Sequence, residues 1–176
     1  GEVFSQVLTR ESLFLPSTTL VHREIIERLG GFPEDCYHED RAFFLRACRE
    51  YPAFSSGRRL VAYRQSVEGR CRSVLADYTT ALRAELSIVD SLRPYLNARE
   101  TARLREFQLG CLMQRFLMYG HNASARRLYR EFRPALRGLK GMLARVFLLT
   151  GLNMMSPLRG LMRGIYRLLP AGWAPC

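Results

Sequence analysis

Apolar and polar positions alternate in three different ways along the 176 residues of the chain. In the first zone, residues 1–73, short apolar runs are interrupted by turn residues. Leu13-Phe14-Leu15 leads through Pro16-Ser17-Thr18-Thr19 to Leu20-Val21, which predicts an extended, β-rich run broken at its proline. A short helix over Glu24 to Leu29 should stop at Gly30-Gly31, because glycine accepts the positive φ of a helix C-terminal cap. After the turn at Pro33-Glu34-Asp35, a second helix is expected from about Glu39 to Glu50, ending before Pro52. A strand, Leu60-Val61-Ala62-Tyr63-Arg64, follows. The zone therefore reads as α/β.

The second zone, residues 74–133, follows a helical period. Leu82, Leu86, Val89 and Leu92 fall at helical spacing. Asn97 with Glu100 three residues on has the form of a capping box, opening a helix through Leu104, Phe107, Cys111 and Leu112. Gly120-His121-Asn122 should break that helix, and another is expected over Ala123 to Phe132. The third zone, residues 134–176, alternates apolar triplets with arginine and glycine, and predicts a basic, apolar helical tail. Its longest uncharged run, Val146 to Leu158, contains Asn153, Ser156 and Pro157 and falls short of the roughly 20 apolar residues that span a bilayer. An α/β segment followed by an α-helical C-terminal region is thus the expected fold class.

Charge changes this picture only locally. The formal net charge is +11, but ten basic residues stand against the single acid Glu131 between Arg126 and Arg167, a net +9 that leaves +2 for the rest. A basic tail, rather than a basic protein, is what that division describes. Nucleic acid is not expected as a partner, since neither a zinc finger, a recognition helix nor aromatic residues interleaved on a basic strand are visible. The five cysteines, Cys36, Cys48, Cys71, Cys111 and Cys176, are odd in number and form no CxxC. Reduced thiols in a cytoplasmic protein are the expectation. No charged n-region leads into an apolar core at the start, and Gly1 to Arg10 reads as the middle of a longer protein.

The ordered pieces Ser17-Thr18-Thr19-Leu20, Ile25 to Leu29, Gly30-Gly31-Phe32, Glu39-Asp40, Leu45-Arg46 and Tyr63-Arg64 together resemble the acceptor-side segment of family-2 glycosyltransferases with the GT-A fold. The resemblance covers Leu13 to Arg64, about a third of the chain. It implies an inverting enzyme that moves a sugar from a nucleotide-sugar donor to a hydroxyl of a glycan or lipid-linked acceptor, with residues 1–73 as the acceptor-side part and the nucleotide-binding half missing. Asp40 would be the general base, since a sugar hydroxyl needs an ionised carboxylate to take its proton as the new bond forms. Glu39 would support it, because adjacent helical residues point about 100° apart and cannot share the role. Arg64 becomes a candidate for the donor diphosphate or acceptor, Arg46 for a structural or acceptor-side ion network, and His38 for the lining of the acceptor pocket. The family often has a histidine after the Tyr-Arg strand end; Ser66 stands there instead, with Arg70 a looser candidate for the diphosphate.

The resemblance also implies a divalent cation, Mg or Mn, for the full enzyme. Its ligands are not expected here, because the DxD element and the glycine-rich phosphate loop are both missing from the sequence. The rival reading is a basic helical interaction or peripheral-membrane module without catalysis of its own. In it the tail lies on an anionic membrane surface, such as the inner face of the plasma membrane, with Phe147, Leu148, Leu149 and Leu152 in the apolar layer and arginines at the phosphates. A tail packed on the catalytic domain with a residual basic surface is favoured over this, since Gly138, Gly141, Gly151, Gly160, Gly164 and Pro157 interrupt any long amphipathic helix.

Overall fold

The chain assembles from helices whose ends are written in local side-chain chemistry. The computed structural model describes residues 3–10, 13–57, 61 and 73–133. The helices are α1 (Phe4–Thr9), α2 (Arg23–Leu29), α3 (Glu39–Glu50), α4 (Tyr78–Leu92), α5 (Ala98–Met118) and α6 (Asn122–Phe132). Single 3₁₀ turns lie at Pro16–Thr18 and Arg93–Tyr95. Two compact units divide the chain, Gly1–Leu109 and Gly110–Cys176, with α5 running through the boundary.

The α/β expectation is overturned: every regular element among the described residues is helical, and no strand forms. Leu13 to Val21 shows why. Leu15 and Thr19 do have extended backbone, with φ of −118° and −119°. Between them Pro16, whose ring fixes φ, opens a 3₁₀ turn, and the Thr18 and Thr19 hydroxyls donate to the Leu15 carbonyl at 3.1 and 2.8 Å. The hydroxyls curl the chain locally, and no segment among the described residues pairs with it. The expected strand over 60–64 lies outside the described residues except for Val61, and the tail over 134–176 lies wholly outside them.

Helix boundaries follow the capping signals. Gly30 sits at φ 72° and Gly31 at φ 74°; the Gly31 N–H donates to Ile26 O at 3.0 Å and the Gly30 N–H to Glu27 O at 3.3 Å, the paired bonds of a Schellman end. Asn97 and Glu100 make the reciprocal bonds of a capping box at the start of α5, both at 2.9 Å. At the far end of α5, Gly120 takes φ 79° and the His121 N–H donates to Phe116 O at 2.8 Å. Asp77 caps α4 by accepting from the Thr80 N–H at 2.7 Å.

In the first unit α3 is the central element. Its Ala42, Leu45 and Cys48 join Val7 and Leu8 of α1, Ile88, Val89 and Leu92 of α4, and Leu104 in one buried core. On its other side Phe43, Phe44 and Ala47 pack against Phe14, Val21, Ile25 and Leu29. Phe32, the residue after the glycine pair, lies 4.7 Å from the Phe43 ring, centroid to centroid, while Phe14 stacks on Phe44 at 5.2 Å. In the second unit Cys111, Leu112, Met113 and Phe116 of α5 and Ala125 and Leu128 of α6 are buried. No helix among the described residues is long and apolar enough to cross a membrane.

Two arginines of α3 fasten the preceding helices. The Arg41 guanidinium donates to the carbonyls of Val7 and Leu8, near the end of α1, at 3.2 Å each, and to Gln108 Oε1 at 2.7 Å. Arg46 does the same for α2, donating to Leu29 O at 2.9 Å and to Gly31 O at 2.5 Å. The last carbonyls of a helix have no partner within it and carry the negative end of its dipole, so a guanidinium fork suits them in both geometry and charge.

Candidate active site

The residues brought together around the start of α3 are His38, Glu39, Asp40 and, from α4, Glu85. The loop Pro33 to His38 delivers the chain into α3, and its position is fixed from α4: the Tyr37 N–H donates to Ser87 Oγ at 3.0 Å, and His38 Nε2 lies 3.3 Å from Glu85 Oε2. His38 is the residue immediately before the helix, and Glu39 and Asp40 fill its first turn. A helix start of this kind presents unpaired N–H groups and the positive end of the dipole. Asp40 is half-buried and accepts from the Arg41 N–H at 2.6 Å; Glu39 is half-buried as well.

Glu85 is the group that sequence reasoning missed. Its side chain is 2% exposed and that of His38 19%. The buried positions of α4 are Tyr78, Ala81, Glu85, Ile88, Val89 and Leu92. Along the stripe 78, 81, 85, 88, 92, spaced by three and four, Glu85 is the one charged residue, and that is the signal by which it could have been found. Leu82 and Leu86, which carried the helical reading of this segment, are only partly buried, so the core-facing stripe is turned from the one they mark.

The other candidates do not gather here. Arg46 is engaged with the Leu29 and Gly31 carbonyls and lies over the Tyr95 ring, 5.5 Å from its centroid. It holds the turn of which Gly30-Gly31 is part. Arg64 and Arg70 lie outside the described residues. Among the described residues no three His, Cys, Asp or Glu side chains converge in a way that could hold a metal ion, so they do not fit the divalent cation that the resemblance implies, and no step below passes through one.

Burial disfavours the thiolate of Cys36, ahead of α3, and of Cys48 in its last turn. Burial raises the Cys36 thiol, against the lowering effect of the His38 backbone N–H and the Ser87 hydroxyl. Burial alone pushes Cys48 up to about 11. Cys36, Cys48 and Cys111 are free and buried.

Compared with protein-family models, with curated proteins and with solved structures, the chain matches none.

Proposed function

We propose that this chain carries the acceptor side of an inverting, nucleotide-sugar-dependent glycosyltransferase of family 2, with Asp40 as the general base. The reading is supported by one observation above the rest. The Glu39-Asp40 pair stands in the first turn of α3, whose approach loop is held from α4 by Ser87 and Glu85, and Asp40 is half-buried with its carboxylate accepting a backbone N–H. The reading takes nothing from a sheet within the described residues; it rests on the helix pair α2 and α3 and on the carboxylate.

In the proposed step the acceptor hydroxyl gives its proton to the Asp40 carboxylate as its oxygen attacks the anomeric carbon. The bond from that carbon to the nucleoside diphosphate breaks on the opposite face, and the diphosphate departs with the electron pair. Asp40 ends the step protonated and returns its proton to solvent. His38, oriented by Glu85, hydrogen-bonds a second acceptor hydroxyl and so limits how the acceptor can turn. Donor and metal would be held by polypeptide outside the described residues.

The test is Asp40→Asn in a polypeptide that includes the donor-binding half, assayed with nucleotide-sugar and acceptor. Turnover should fall by about two to four orders of magnitude while donor binding stays the same, because the change keeps shape and removes the base. Glu39→Gln should cost less. Near-normal turnover in the Asp40 variant removes this residue from the chemistry.

A further inference from the structure

The exposed face of α6 carries charge that is not paired among the described residues. Arg126, Arg130 and Arg133 follow one another at spacings of four and three, which on a helix places them within an arc of about 60°. Arg133 follows the last helical residue with φ −47° and ψ −42°, so the stripe continues unbroken to it. All three are exposed. The one acid of the helix, Glu131, is taken by Arg127 at 2.8 Å, and none of the three stripe arginines has an ion-pair partner among the described residues. The buried residues Ala125 and Leu128 lie on the other side of the helix, with Tyr129 and Phe132 half-buried beside them.

We propose that this stripe docks on a bilayer surface bearing anionic lipid headgroups, independently of any transfer chemistry. A row of guanidinium groups about one helical turn apart meets headgroup phosphates, and Arg presents a planar fork to each. No aromatic residue falls within that arc, Tyr129 and Phe132 being half-buried to one side of it; this sets the stripe apart from a surface for single-stranded nucleic acid. In sequence the stripe leads into six more basic residues up to Arg167, with no further acid, and these alternate with apolar groups, a composition that matches a headgroup layer over hydrocarbon. Each arginine near such a surface contributes about 1 kcal/mol, so the three together set roughly a hundredfold in partitioning.

The experiment is co-sedimentation of the full chain with vesicles of phosphatidylcholine alone and of phosphatidylcholine mixed with phosphatidylglycerol. Binding is expected only to the mixed vesicles and should weaken as salt is raised, since screening acts over about 8–10 Å. The triple variant Arg126→Gln, Arg130→Gln, Arg133→Gln should bind roughly a hundredfold more weakly. A second triple, Arg83→Gln, Arg99→Gln, Arg103→Gln, removes the same charge from exposed positions in the first unit and should bind as the parent does. Equal loss in both triples would reduce the effect to net charge and overturn the proposal. So would parental binding by the α6 triple when circular dichroism shows it folded, or a mixed-sequence single-stranded DNA that binds more tightly than the vesicles and loses affinity with the same three substitutions.

Discussion

The carboxylate of Glu85, buried on α4, lies 3.3 Å from Nε2 of His38, two residues ahead of Asp40. Forty-seven residues separate the pair in sequence, and the contact joins the buried stripe of α4 to the residue that opens α3. Glu85→Ala should destabilise the fold by about 1–3 kcal/mol, because the imidazole loses its partner and the core loses volume. Glu85→Gln, which keeps the volume and a hydrogen-bonding head, should cost less. Urea denaturation of the two variants measures the difference, and an alanine variant as stable as the parent would show the pair to be idle.

Arg46 offers a sharper comparison. Its fork serves two carbonyls and its face lies on Tyr95, so Arg46→Met takes the guanidinium away from the Leu29 and Gly31 carbonyls and should cost about 1–3 kcal/mol in the same measurement. Arg46→Lys keeps the charge but not the fork, and should recover only part of that stability. Full recovery by lysine would mean that charge alone holds the turn.

Acid should act through Glu100. Burial works to raise this carboxyl, but the Asn97 backbone N–H and the Arg49 guanidinium, 2.9 Å away, together outweigh it and hold the group below the usual carboxylate value. A depressed folded-state pKa means that the stabilisation is fully present above the unfolded value of about 4.3 and is lost as pH falls through the folded one. Glu100→Gln should therefore be less stable than the parent near neutrality and lose less on acidification. Parallel stability curves for the two proteins below about pH 5 would contradict this.

Cys36 and Cys48 should report opening. With its thiol raised to about 11, Cys48 is almost entirely protonated at neutral pH, and burial adds a second barrier to attack. Peptide mass mapping after treatment with a thiol reagent should find both sites labelled slowly in the folded chain, at a rate that climbs with urea as unfolding does. Rapid labelling of Cys48 without urea would mean that α3 is not seated against α4 as described.

How much of this was readable in advance depends on the range of the interaction. The end of α2 at Gly30-Gly31, the opening of α5 at Asn97 and Glu100, and α3 from Glu39 to Glu50 are settled by residues within one turn of each other, and the sequence shows them. The misreading of Leu13 to Val21 has the opposite origin. An extended backbone is a local property, whereas a strand requires a partner, and here none pairs with it among the described residues. Helix α1 has six residues and no side-chain cap, too little for periodicity to register; its Val7 and Leu8 are fixed by distant α3 and α4. The site divides in the same way. Glu39 and Asp40 are visible as a first-turn pair, while Glu85 required knowing which side of α4 faces inward.

The grip of Arg41 and Arg46 on the two preceding helices has a consequence for how this part of the chain can change over generations. Both arginines hold main-chain oxygens, which every amino acid supplies alike. None of the α2 side chains is fully buried, and Ile25 and Leu29 make its packing contacts. The outward positions Arg23, Glu24, Glu27 and Arg28 can therefore drift widely while the joint survives. What cannot drift is the pair of glycines that turns the carbonyls toward the fork, and the fork itself. A library randomised over α2 and position 46 should return many folded sequences for the helix and one residue for the anchor.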